Sequence, residues 1–359
     1  MNRSFSTYLD LVRFGAAMVV VLHHVWGVIF PAIPLPWPGH HAVVVFFVLS
    51  GYVISYAVAQ RPCSATDYAV HRAARVLSVA WPALALGAVV SVICGEGGPR
   101  LAFAPCPSDA ADAIVRTAAS AAFLGQAWLV DLSPPFNAPY WSLNYEVWYY
   151  VLFGVVFCGH GRGRIFLALV IAVLAGPRII ALLPCWLVGV WLQRRQMRVP
   201  ARWAGIGFIV SILMYAPVFW FDLPIRLRTI MAASWPELPG FFGASNTFAG
   251  DYLVAGIVAL NFASAAGLAR LGPVLAGAEQ PIRKIASYTF SIYLYHAPLF
   301  ALIWFGLGLR SWVALPALMV ATVLLGELTE TRLPLVRAAL KRWFVALPAQ
   351  PAPFGGKRS

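Results

Sequence analysis

Charge is what this sequence has least of. Only 11% of its 359 residues are Asp, Glu, Lys or Arg, against about 25% in an ordinary soluble domain. Acidic residues number 13 against 26 basic ones, and lysine occurs only at Lys284, Lys341 and Lys357. A chain that is 61% hydrophobic, with a mean hydropathy of +0.77, would expose large apolar patches in water and aggregate. This excludes a soluble enzyme, a disordered protein and a coiled coil. Cysteine is also scarce. Cys63, Cys94, Cys106, Cys158 and Cys185 form neither a CxxC nor a Cys/His spacing, so a disulfide scaffold is excluded and no metal site is expected. Cys94 and Cys106 flank one loop placed outside the cytoplasm, where a disulfide and two plain apolar side chains are the alternative readings. His40, His41 and His160 sit in expected loops without partner spacing. Neither an internal repeat nor a linker between two domains is visible.

What is present is apolar sequence in long runs, with 27 Pro and 29 Gly, both tolerated in membrane helices. A bilayer core takes about 20 apolar residues to cross. Runs of this kind fall at 14–30, 42–58, 77–94, 141–158, 165–178, 179–193, 201–219, 248–267, 285–305 and 312–330. The fold expected is an all-α, polytopic transmembrane helical bundle of about ten spans. Residues 1–345 form one membrane domain, and residues 346–359 form a disordered cytoplasmic tail rich in Pro and Gly. The first run lacks a small-x-small cleavage site and carries His23 and His24, so it reads as a mature helix.

Basic residues orient the bundle. With both termini cytoplasmic, nineteen of the 26 fall inside, among them Arg61, Arg72, Arg75 and Arg270; Arg13 lies in the first span. Six lie outside, Arg100, Arg116 and Arg178 among them. That is a strong positive-inside bias. The run 113–130, with Arg116 and Gln126, would invert every later loop if it crossed, so it is expected not to span. A pI near 9.9 would suggest nucleic acid in a soluble chain. Here no basic run is interleaved with exposed aromatics, and the charge reads as loop charge. The long outer loop 220–247, rich in Trp, Phe and Pro, suits either acceptor docking or interface anchoring.

Ionisable groups inside spans are costly and mark candidate sites. At about 100° per residue, Asp10, Arg13 and His24 share one stripe of the first helix. Arg13 and His24 lie about 16 Å apart along its axis, and His23 points away. This suits a long, narrow donor entering from the cytoplasm, with His24 as general base. The plainer reading is an i,i+3 ion pair of Asp10 and Arg13 with an interior, hydrogen-bonded His24. Arg72 and Arg75, in HRAAR before the third span, share one face; guanidinium forks bind phosphate, although RxxR alone is also ordinary inner charge. In WSLNYEVWYY, Glu146 is expected in the opening turns of a span on its outer side, as a catalytic candidate whose carboxylate would orient or deprotonate a sugar hydroxyl, or else pair with a buried cation; beside it stand Trp141, Ser142, Tyr145, Trp148 and Tyr149. These aromatics suit an interface belt. His296, in SYTFSIYLYHAPLF, suits structural hydrogen bonding, with Pro298 loosening the backbone after it. Ser50-Gly51 lets helices pack closely.

Taken together, YLDLVRFGAAMVVVLHH, FFVLSGYVIS, HRAAR, WSLNYEVWYY and SYTFSIYLYHAPLF resemble, in this order, the segments of the acyltransferase-3 family of integral membrane acyltransferases. The likeness runs from about residue 5 to 335. Trp148 or Tyr149 stands where that family usually has Phe. The resemblance implies acyl-CoA, most simply acetyl-CoA, bound from the cytoplasmic side of a bacterial inner membrane without a metal. The acyl group would move to a hydroxyl of a surface or exported glycan or lipid-linked sugar. It implies a catalytic His24, donor contacts at Arg13, Arg72 and Arg75, and a motif role for Trp141, Ser142 and Glu146. Some members carry a fused SGNH-type domain. None is expected in this chain, so the acceptor is acylated directly or by a separate extracytoplasmic transfer protein. The alternative function is a transporter with Asp10, Arg13 and His24 along a polar pathway; discontinuous helices in matching halves would support it, and no such symmetry is visible.

Overall fold

The structure is a computed structural model, which describes residues 1–60, 64–94, 103–159, 161–268, 272, 275 and 277–346. Arg61, Cys63, Arg100, His160, Arg270 and the expected tail beyond Ala346 lie outside the described residues. The described chain is helical, without a strand. Its first three helices are α1 (Arg3–Ile29), α2 (Gly39–Gln60) and α3 (Ala65–Cys94). There follow α4 (Ala110–Ala121), α5 (Trp141–Phe153, continued by a π turn over Gly154–Cys158), α6 (Gly163–Ala175) and α7 (Pro177–Arg194). Next come α8 (Ala201–Trp220), α9 (Leu223–Ser234), α10 (Leu238–Phe242) and α11 (Phe248–Gly267). The last four are α12 (Glu279–Ser287), α13 (Thr289–Ala301, continued by a π turn over Leu302–Gly306), α14 (Ala314–Glu330) and α15 (Leu333–Ala346).

Among the described residues, seven helices are long and apolar enough to cross a membrane: α1, α2, α3, α8 and those containing α11, α13 and α14. The other three apolar runs form α5, α6 and α7. The 13 residues of α6 rise about 20 Å, short of the ~30 Å hydrocarbon core, and α7 carries Arg178, Arg194 and Gln193. The run 113–130 forms the 12-residue α4 and then an irregular loop. Asp109 caps α4, accepting from Asp112 N at 2.8 Å, and Asp112 pairs with Arg116 at 2.6 Å. The Ser108 amide donates to Asp112 and holds its carboxyl below the usual range. In the loop Phe123, Trp128 and Phe136 have φ of 57°, 54° and 55°, a left-handed backbone that bulky residues adopt only when their surroundings impose it. Three hydrogen bonds do so: Trp148 Nε1 to Phe123 O (3.0 Å), Trp128 N to Ala175 O (3.1 Å) and Phe136 N to Pro105 O (2.9 Å). Cys94 and Cys106 are both thiols, not joined by a disulfide.

The tightest helix crossing is that of α2 with α7. A Cβ on Gly51 would stand 2.1 Å from Trp186 O, and one on Gly189 would stand 1.9 Å from Val48 O. Two small residues let the backbones touch, and Trp186 Nε1 then reaches Ser50 Oγ at 3.2 Å. Gly189→Val is expected to destabilise the folded protein by about 1–3 kcal/mol or more, as overpacking does. It would be read as a lower unfolding temperature in detergent; an unchanged temperature would contradict the crossing. Arg178, expected in an outer loop, is instead buried at 5% exposure in the first turn of α7. Its guanidinium donates to Val130 O (2.8 Å), Gly240 O (2.6 Å) and Phe241 O (3.0 Å), so segments from both sides of α7 are pinned to it. Three backbone acceptors stabilise the buried charge, which the apolar surroundings alone would not.

Candidate active site

Five of the expected site residues line one cavity of about 350 Å³: Arg13, Arg72, Arg75, Ser142 and Glu146. Along α2 its lining runs from Val43 to Ile54, about 16 Å of helix. His71, Arg72, Leu333 and Arg337 mark one end, and Ser142, Val43 and Tyr293 the other. Arg13 Nη1 lies 3.2 Å from Asp10 Oδ1, and the second Asp10 oxygen lies 3.7 Å from Arg283. Asp10 therefore steadies Arg13 rather than facing the cavity. Arg75 pairs with Glu330 at 2.5 Å and stands over the Phe290 ring at 5.6 Å; Ser291 Oγ donates to the second Glu330 oxygen at 3.2 Å. Arg72 makes no ion pair with a described residue. Glu146 sits beside Ser50 and Tyr150, within the field of Arg72 and Arg13.

The position of Glu146 corrects the expectation that it lies on the outer side. Before α5 begins, the chain dips into the bundle: Phe136, Asn137 and Tyr140 are at most 1% exposed, and Asn137 Nδ2 donates to Leu294 O of α13 at 2.9 Å. The first turn of α5 thus starts at depth, and Glu146 meets the arginines. The belt reading of Tyr145 and Tyr149 is corrected too. Both rings are fully buried, with hydroxyls on Ser245 Oγ (2.9 Å) and Ile179 O (2.7 Å).

His24 does not line the arginine cavity. His24 lies further along the axis of α1 than Arg13 and meets α13. Its Nδ1 is 3.0 Å from His296 Nε2, with the rings stacked at 5.2 Å. His296 Nδ1 faces Tyr293 O (2.8 Å) and Ile292 O (3.1 Å). Carbonyls only accept, so His296 carries its proton on Nδ1 and offers Nε2 as acceptor. His24 must then donate from Nδ1, which leaves the lone pair on its Nε2. The pair is tied to the cavity wall through Tyr293, whose ring is 6.2 Å from that of His296 and whose hydroxyl is 2.6 Å from Ser142 Oγ.

A second cavity, of about 920 Å³, lies at the other end of α2. Its lining includes His23, Trp26, Trp37, His40, Trp141 and Thr247. Trp141 and Ser142 are consecutive, yet one faces each cavity. His40 has a partner after all, on a helix remote in sequence. Its Nε2 lies 3.0 Å from Oδ2 of the fully buried Asp251, which also accepts from Thr247 Oγ1 at 2.9 Å, and its ring stacks on Trp141 at 5.7 Å. His41 reaches the Tyr215 hydroxyl at 3.0 Å. A separation of 211 residues leaves no local spacing to read. Among the described residues no His, Cys, Asp or Glu cluster suits a metal.

The segments that build the two cavities run from α1 to α15. A family profile described as an acyltransferase domain matches residues 6–328. The chain belongs to the acyltransferase-3 family. No curated protein and no solved structure matches it. The arginine cavity of this membrane acyltransferase is lined by more polar residues than the sequence analysis singled out, Tyr150, Tyr293 and Arg337 among them. Tyr150 and Tyr293 stood inside the motifs WSLNYEVWYY and SYTFSIYLYHAPLF with no role of their own, and Arg337 counted only as inner-side charge.

Proposed function

We propose that this acyltransferase moves an acyl group, most simply acetyl, from coenzyme A to a hydroxyl of a surface or exported glycan or lipid-linked sugar, in a bacterial inner membrane. The observation that carries this reading is the partition at Trp141–Ser142. An arginine-lined cavity fit for a phosphorylated donor lies on one side and an aromatic cavity on the other. The donor enters at Arg72 from the cytoplasm, and its thioester reaches the Ser142–Tyr293 end. The acceptor enters past Trp141. His24 Nε2 takes the hydroxyl proton as the oxygen attacks the thioester carbonyl, and the carbon–sulfur bond then breaks. The leaving thiolate takes that proton from the His24 imidazolium, which regenerates the base and gives the ester and free coenzyme A. Membership of the family and the hydrogen bond of His24 Nδ1 to His296, which leaves Nε2 available as an acceptor, support these roles; a transporter would leave the cavity without a reaction to serve.

His296 acts as a positioning residue. His296→Ala removes the acceptor that fixes the His24 tautomer. The expected loss is about 10²-fold in kcat, in the range for misoriented general bases, with KM for acetyl-CoA unchanged. A matching rise in KM would assign His296 to packing instead. The donor itself is tested by calorimetry with acetyl-CoA on detergent-solubilised protein. Saturable one-to-one binding is expected, and no binding by folded protein would overturn the reading.

A further inference from the structure

Two arginines at the mouth of the donor cavity, on facing helices, have no ion-pair partner among the described residues. One is Arg72 on α3. The other is Arg337 on α15, a helix that begins beyond the last residue of the family match at 328. Helix α15 packs along α3 and places Leu333 and Arg337 in the cavity lining. Arg337 Nε is buried and lacks a hydrogen-bond partner, which is costly for a charged donor group. Arg337, Arg72 and Lys341 all bear electrostatically on His71 between them, so the mouth is cationic on two walls. The cavity's other two arginines are neutralised, Arg13 by Asp10 and Arg75 by Glu330. An anion with two separate phosphate groups at one end would satisfy both free guanidinium groups, each binding phosphate through its fork.

We propose that Arg337 binds the 3′-phosphate of coenzyme A while Arg72 holds the diphosphate. The inference rests on the donor reading above. It makes α15 a selectivity element, which admits coenzyme A and disfavours carriers that end in pantetheine or lack the 3′-phosphate. Both phosphate groups belong to the nucleotide end of the donor, so the narrow pantetheine arm is left to run inward past Arg13 towards Ser142.

The test is calorimetry of the full chain with coenzyme A and with 3′-dephospho-coenzyme A. The intact protein is expected to prefer coenzyme A by about tenfold or more, the scale of one charge-assisted pair. Arg337→Gln should bind both ligands equally, with the affinity the intact protein has for the dephospho form. Arg337→Lys, which keeps the charge, should retain part of the preference. Arg72→Gln should weaken both ligands and keep the preference. An undiminished preference in Arg337→Gln, or equal weakening of both ligands by that change, would overturn the proposal. An intact protein that binds dephospho-coenzyme A as tightly as coenzyme A would overturn it while leaving the donor reading in place. Binding of neither ligand would overturn the donor reading and this inference with it.

Discussion

His24→Ala is expected to lower turnover by about 10²–10⁴-fold, the usual contribution of a positioned general base, while leaving acetyl-CoA affinity within about twofold. The second half of that expectation comes from the geometry. His24 is not part of the arginine cavity lining; its hydrogen bond is to His296. Truncation therefore removes the proton acceptor without touching the donor's phosphate contacts. The ring is half-buried, between His296 at 5.2 Å and Phe103 at 5.2 Å, so alanine leaves a small void and a helix that still inserts. The check is a pair of measurements on one preparation, kcat from coenzyme A release and affinity from calorimetry. Near-normal turnover would remove His24 from the chemistry. Lost affinity with normal turnover would make it a donor contact.

Arg72→Ala is expected to weaken acetyl-CoA binding by about 10–100-fold, the range for a hydrogen bond to a charged group. Arg75→Ala should behave differently. Arg75 is held by Glu330, and removing it strands a carboxylate that is 17% exposed, with Ser291 as its remaining hydrogen-bond donor. Leaving a mostly buried carboxylate without its cation costs more than the half-exposed pair contributes, so this variant should lose thermal stability as well as affinity. Arg75→Ala with Glu330→Gln should recover the stability and not the affinity. Comparing unfolding temperatures with dissociation constants separates the two arginines. Equal behaviour of the two single variants would show that the Glu330 contact has no bearing on the donor site.

The fold was legible where physics acts locally. All ten apolar runs, two of them short, became helices, with α1 and α3 starting well before their apolar runs, because backbone groups in a bilayer must be satisfied within the helix. Gly51 marked a close crossing because only a missing Cβ permits one. The site was legible as a set of residues and less so as an arrangement. Arg13, Arg72, Arg75 and Glu146 do share a cavity. Periodicity assigned Arg13 and His24 to one stripe, and it carries no information on which neighbouring helix each meets. Glu146 was misplaced because hydropathy treats the start of α5 as the membrane surface. The buried loop before it, with Phe123, Trp128 and Phe136 in left-handed conformations, follows no pattern of period. The same holds for His40 with Asp251 and Arg75 with Glu330, whose partners are 211 and 255 residues away. Long-range polar pairing follows from topology, which a single sequence does not state.

The second cavity, lined by His40 and Trp141, extends the account to the acceptor. His40, fixed by Asp251 and Thr247 and stacked on Trp141, presents a polar ring edge and an aromatic floor, a surface on which a sugar ring can lie with its hydroxyls paired. Trp141→Ala should therefore raise KM for a saccharide acceptor by about tenfold and leave KM for acetyl-CoA unchanged, since removing one stacked aromatic costs on the order of 1–2 kcal/mol. Kinetics with the acceptor varied at fixed donor provide the check.

The central claim is that this chain transfers an acyl group from a coenzyme A thioester to a hydroxyl. It is tested most directly by incubating the detergent-solubilised protein with radiolabelled acetyl-CoA and the surface glycan fraction of its source cells. Free thiol and label in the glycan are then followed together. The account predicts acceptor-dependent thiol release, with label appearing in base-labile ester linkage, both absent in His24→Ala. Folded, donor-binding protein that releases no thiol and labels no glycan would contradict it.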